Sequence, residues 1–213
     1  MRPDNSPAQQ MAQHLPQHAD AELLTQVLTL NLRGLEVICE ATKLGLAPAV
    51  DEWQTLEARA LPRVADAPYL LFAIDVATAL GSESRPMPST FSSAQVPAIA
   101  DAAPPYSIWG TGAGRLFAVA VLQFASHVAR TRPAAAPLTL GLDAGACQAL
   151  RSENFGRLDW SAERSTRWLT LRWSADRAHW AQRLRAATAK DAKALRNNTL
   201  AGLQRLAGDG LRR

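Results

Sequence analysis

Arginine and tryptophan interleave between positions 164 and 183: Arg164, Arg167, Trp168, Arg172, Trp173, Arg177, Trp180, Arg183. Arginines hold phosphates and exposed indoles stack on unpaired bases, so the pattern carries the chemistry of a nucleic-acid-like partner. Large aromatics more often fill a core, and Trp173 and Trp180, seven residues apart, share one helical stripe. The tryptophans are therefore expected inside, with the arginines on the solvated side.

Charge points to the same end of the chain. Residues 172–213 hold ten Lys/Arg against three acids, a net +7, so residues 1–171 sum to −3 within the overall +4. A basic tail on a mildly acidic body suits an acidic partner, nucleic acid among them. The plain alternative is a solvated helix face in an arginine-rich protein. The positions expected to contact a partner are Arg172, Arg177, Arg183, Lys190, Lys193, Arg196 and Arg205.

Other chemistry finds less support. His14 and His18 are spaced i, i+4 but fall in a segment not expected to be ordered, whereas His127 and His179 lie on separate helices. None has a carboxylate or thiol at metal-ligand spacing. Gly110-Thr111-Gly112-Ala113-Gly114 lacks the lysine-serine pair of a phosphate loop and the spacing of a dinucleotide fold, so it reads as a tightly packed helix start. Asp51, Glu52 and Glu153 are acids at helix starts. Neither a nucleophile elbow nor a paired-carboxylate motif is present, and no catalytic, cofactor or metal residues are assigned. Cys39 and Cys147 are far apart in apolar surroundings and read as buried free thiols of a cytoplasmic protein.

The elements that must position these residues are helical. Leucine and alanine dominate over the strand formers, giving an all-α expectation. Residues 1–20, with Pro3, Pro7 and Pro16, read as a flexible arm without a secretory apolar run. Asp20 caps a helix over 21–43 whose inward stripe is Leu24, Val27, Leu28, Leu35 and Ile38, and Gly45 ends it in a left-handed turn. A helix from about Val50 to Leu61 carries Trp53 and Leu56 inward, and Pro62 and Pro68 bracket a short helical piece. The apolar run Tyr69–Leu80 could be strand or helix, and its alanines favour helix.

Residues 81–105, with five prolines, read as a surface connector between two small helical halves, 21–80 and 106–213. The second half opens on a nearly all-apolar helix over 115–130 (Leu116, Val119, Ala120, Leu122, Phe124, Val128). Asp143 caps a helix followed by core positions Leu150, Phe155 and Leu158, and Ser161 could cap another. Residues 168–173 are compact and could be extended. Ser174 caps a helix with inward Trp180, Leu184 and Ala187, and a last helix covers 191–206. No apolar run reaches about 18 residues, so no membrane span is expected. The turns Leu44-Gly45-Leu46 and Leu140-Gly141-Leu142, with the aromatic-leucine clusters at 69–72 and 168–171, echo each other as a duplication would.

The order of features over 116–173 resembles the FlhD-type flagellar regulator module: a long apolar helix, the turn Leu140-Gly141-Leu142-Asp143, a leucine-spaced segment Leu150–Leu158, and the element Trp168-Leu169-Thr170-Leu171-Arg172-Trp173. Leu30-Asn31-Leu32, with Leu35, resembles that family's opening helix. The chain is nearly twice the family's usual length, the connector has no counterpart, and Thr170 stands where a cysteine is expected. The resemblance implies an all-α dimer that acts in transcription mainly through a partner subunit. Together these readings describe a non-enzymatic regulatory or adaptor protein, with another protein subunit, nucleic acid or a second copy as partner. The alternatives are a helical accessory factor of a secretion or motility apparatus, and an enzyme whose site assembles from distant residues.

Overall fold

A computed structural model describes residues 7–45, 53, 55–80, 108–153 and 168–211. Among the described residues the architecture is all-α apart from one two-stranded ribbon. The connector expected over 81–105, and Phe155, Leu158, Trp160, Ser161, Arg164 and Arg167, lie outside these residues.

Helix α1 spans Pro7–Lys43, so the expected arm is helical from residue 7 and Asp20 is interior to the helix rather than its cap. Pro7 falls in the first turn, where its missing N–H breaks no bond, and alanine, glutamine, methionine and leucine follow as good helix formers. Asp20 instead pairs with Arg132 at 3.7 Å. The buried stripe runs Leu23, Val27, Asn31, Leu35, Ile38. Leu24 and Leu28, expected inside, sit one position round the helix and are exposed. Gly45 (φ 72°) closes the helix as expected.

Trp53 is buried, but Leu56 and Glu57 lie outside any helix, so no helix continues from Val50 to Leu61. A 3-10 turn at Ala58–Ala60 leads into α2, Leu61–Ala65, with Pro62 in its first turn. The run Tyr69–Leu80 is split between strand β1 (Phe72–Ile74) and helix α3 (Val76–Leu80), not one helix. Asp75 is the reason: its carboxylate accepts from Thr78 N at 3.1 Å and Thr78 Oγ1 at 2.7 Å, starting a new helix inside the apolar run.

Helix α4 spans Gly112–Thr131, with the Thr111 side chain accepting from Gly114 N. A Cβ at 114 would meet Ile108 O at 2.6 Å, so the glycine-rich start is a packing device. Among the described residues α4 alone is long and apolar enough to cross a bilayer, yet more than half of it is buried against the rest of the chain, as in a core helix. Its inner face holds Phe117, Val121, Leu122, Ala125 and Val128, while Leu116 is turned outward at 65% exposure. Phe117 stacks on Trp109 and meets Phe72 edge-on.

Helix α5 (Ala136–Leu140) ends at Gly141 in the left-handed region (φ 60°), and α6 (Ala144–Ser152) is capped by Asp143 through Ala146 N at 2.7 Å. Strand β2, Leu169–Leu171, pairs antiparallel with β1, Phe72 opposite Leu171 and Ile74 opposite Leu169. The two aromatic-leucine clusters are thus neighbours in space. Residues before 81 and after 107 contribute to one shared core, which includes Leu35, Tyr69, Phe72, Phe117, Leu140, Trp168 and Trp180.

Helix α7 (Arg177–Ala189) and helix α8 (Ala192–Leu211) form a hairpin that closes over this core. Asp176 caps α7 through His179 N at 3.0 Å, not Ser174, and Asp191 caps α8 through Ala194 N at 2.9 Å.

Candidate functional site

Six of the seven expected contact residues fall into two groups, five of them on the α7–α8 hairpin and Arg172 just before it. Helical period decides the division. Trp180, Arg183, Leu184 and Ala187 share one stripe, which faces the core. Arg183 is therefore buried at 0% exposure, contrary to the expectation that it faces solvent. Its Nε donates to Val64 O (2.9 Å) and its Nη2 to Asp66 O (3.0 Å), while Nη1 donates to Asn198 Oδ1 (3.0 Å) and Thr199 Oγ1 (3.2 Å). Burial works against its charge, and neutral oxygens solvate it in place of a carboxylate.

Arg172 is likewise withdrawn, at 8% exposure. It donates from Nε to Leu70 O (2.8 Å), from Nη2 to Leu140 O, and from its backbone N to Leu71 O (2.9 Å). Gly141 lies against its guanidinium, where a Cβ would meet Nη2 at 2.5 Å. Asn31 completes the set: its Nδ2 donates to Ala65 O and Tyr69 O, and its Oδ1 accepts from Leu71 N at 2.8 Å. The three side chains bind the backbone of residues 64–71, a stretch whose polar groups helix and sheet leave largely unserved. They hold the fold rather than a partner.

The second group is on the surface. Arg177, Lys190, Lys193 and Arg196 are exposed, and among the described residues none has a carboxylate partner. Asp176 and Asp191, the acids closest to them in sequence, are engaged as helix caps. Lys190 occupies the left-handed C-cap of α7 (φ 58°), which turns the chain into α8. At 1.5 Å rise per residue, Arg177 and Lys190 stand about 20 Å apart along the hairpin. A shallow groove of about 430 Å³ follows the outer side of α7, lined by Ala178, Ala181, Gln182, Arg185, Ala186, Ala189, Asp191 and Ala194.

Arg205 belongs to neither group cleanly. It is exposed yet pairs with Asp176 at 2.9 Å and lies over the Trp173 ring at 5.6 Å. The hydrogen bond from His179 N, with Arg205 helping, holds the Asp176 carboxyl below the usual range. Trp173 is half-buried and adopts φ 51°, an uncommon conformation for a bulky side chain. Contacts fix it there: Tyr69 at 5.9 Å, His179 at 4.9 Å and Arg205 above. Trp168 and Trp180 are core, as expected, with Trp180 Nε1 donating to Arg172 O at 2.8 Å.

His179 is buried beside these rings, and burial, followed by the nearby Arg205 and Arg183 charges, pushes its pKa down to about 4. Burial also pushes the Tyr69 hydroxyl and the Cys39 and Cys147 thiols up, away from reactivity at neutral pH. Asn31, Tyr69, His179 and Asn198 have no site role that type or spacing alone assigns. A signal was available for two of them: Asn31 sits midway along the stripe Leu23–Ile38, and His179 precedes Trp180. Among the described residues no three His, Cys, Asp or Glu side chains converge as a metal site. No protein-family model, curated protein or solved structure matches the chain.

Proposed function

We propose that this chain is a non-enzymatic regulatory or adaptor protein of the bacterial cytoplasm that binds an acidic macromolecule through the α7–α8 hairpin. The observation that carries the reading is the set Arg177, Lys190, Lys193 and Arg196, exposed and, among the described residues, without carboxylate partners while the neighbouring acids cap helices. Charges left open on the surface of one hairpin favour a polyanion, and they cost little stability to keep in water. The groove beside them, lined mostly by alanine methyls, offers a binding surface more readily than a reaction centre. The FlhD-type resemblance of 116–173 adds a partner subunit and dimerisation to this reading, with transcription as the setting.

Retention of the purified chain on duplex DNA and on heparin, measured against salt, tests it. Four phosphate contacts predict an affinity that falls with a log–log slope of about −4. Retention that ignores salt, or its absence at low salt, would remove nucleic acid from the reading and favour the accessory-factor alternative.

A further inference from the structure

We propose that α8 is an acid-sensitive latch, held on the body of the protein while the His179 ring is neutral and released when that ring takes a proton. The inference starts from what Arg183 can do. A guanidinium only donates, so the Asn198 atom 3.0 Å from Arg183 Nη1 must be the amide oxygen. That orientation turns the Asn198 NH₂ toward His179, where it donates to the backbone O at 3.2 Å and stands 3.3 Å from Nδ1. Nδ1 must then be the nitrogen with the lone pair, and the ring proton sits on Nε2, which is buried and without a hydrogen-bond partner.

A proton on Nδ1 would set N–H against N–H. Turning the Asn198 amide over would restore a bond to the ring, but it would point NH₂ at the Arg183 guanidinium. Neither arrangement satisfies all three side chains, so the triad Arg183–Asn198–His179 closes with a neutral ring.

The surroundings on balance oppose the added charge. Arg183 faces the ring from α7 and Arg205 from α8, and Trp173 and Trp180 flank it edge-on at 4.9 and 5.7 Å. Tyr69, from the segment before β1, packs edge-on against Trp173 as an uncharged phenol. The nearby carboxylate is Asp176, already engaged by His179 N and Arg205.

The same contacts seat α8: Asn198 and Thr199 on Arg183, Gly202 on Tyr69, Arg205 on Asp176 and Trp173. Losing the Asn198 bond therefore strikes the middle of the attachment. Because α8 carries Lys193 and Arg196, its release would also rearrange the basic surface, although the latch itself does not depend on that surface binding anything.

The sign follows from linkage. The folded value of about 4 lies below the ordinary 6.5, so the released state protonates first; the latch is at full strength above pH 6.5 and weakens as pH falls toward 4. Amide hydrogen exchange on the intact chain between pH 7.5 and 4.5, corrected for intrinsic rates, reads this directly. We expect opening of 192–211 to rise about tenfold per pH unit below 6.5 while α4 stays protected. Asn198→Asp supplies an acceptor to both Arg183 and a protonated ring, so its acid slope should flatten or reverse; His179→Phe should abolish the slope. The latch is overturned if α8 protection is flat with pH, if α8 and α4 lose protection together, or if Asn198→Asp keeps the parent's slope. Should His179→Phe not fold, the His179 ring resonances decide: titration near 6.5 with α8 still protected also overturns it.

Discussion

Gly202 on α8 packs against the Tyr69 hydroxyl so closely that a Cβ at 202 would overlap that oxygen and lie 3.0 Å from Trp173 Cη2. Only a residue without a side chain lets the helix approach here. Gly202→Ala should lower stability by about 1–3 kcal/mol despite alanine's better helix propensity, because overpacking outweighs it. Thermal melts of the two proteins check this, and a variant as stable as the parent would mean α8 does not sit so close to Tyr69.

Arg183 and Lys193 are both cations on the hairpin, and they should behave oppositely. Arg183→Met leaves Val64 O, Asp66 O and Asn198 without their donor and, at about 1–3 kcal/mol for each buried acceptor left unsatisfied, should cost several kcal/mol. Lys193→Ala, at an exposed position, should stay within about 0.5 kcal/mol. Denaturant midpoints of the pair measure the contrast. Equal midpoints would mean that Arg183 is not solvated by the core.

Lys190 separates stability from binding. Its φ of 58° at the α7 C-cap is a glycine conformation, so Lys190→Gly should raise stability by about 0.5–1 kcal/mol while removing one exposed cation. On a DNA column the variant should elute at lower salt than the parent. If it melts higher yet elutes unchanged, Lys190 is no part of the binding face.

Charge reversal at Lys190, Lys193 and Arg196 to glutamate should leave melting nearly unaltered and abolish low-salt retention on DNA. Trp180→Ala should cost about 3–5 kcal/mol, since it empties a core site and frees Arg172 O. A Trp180→Ala protein that melts like the parent would put that indole outside the core. A charge-reversed protein that binds as the parent does would leave these cations a solubilising role alone.

Helical content, some caps and the burial of Trp168 and Trp180 were legible in the chain because each rests on local pattern: Asp143 before a helix, Gly45 after one, Trp180 and Leu184 on one stripe. The caps expected at Asp20 and Ser174 fall elsewhere, because α1 begins earlier and Asp176 stands nearer the start of α7. The errors share a cause. Leu24 stands on the expected inward stripe where the structure buries Leu23, because one residue of phase decides and only the tertiary setting fixes the phase. Arg183 lay on the stripe of Trp180 and Ala187, yet its charge argued for solvent. Its burial depends on the carbonyls of 64–66, more than a hundred residues earlier and invisible to any local window. Tyr69–Leu80 reads as helical by its alanines, and Asp75, the residue that divides it, is a single polar position inside an apolar run. The triad around His179 was illegible for the same reason: Asn198 is on another helix, and which of its atoms faces the ring depends on Arg183.

The ribbon sets a condition on how the chain is made. Phe72 waits for Leu171, roughly a hundred residues later, and the carbonyls of Val64, Asp66 and Leu70 wait for Arg183 and Arg172. During synthesis from the N-terminus, the first 80 residues therefore emerge with an unpaired strand edge and an unsatisfied stretch of backbone. Closing so long a loop delays these contacts more than it weakens them. Until the last helices have been made, the opening segment is a nascent chain exposed to aggregation and suited to chaperone capture.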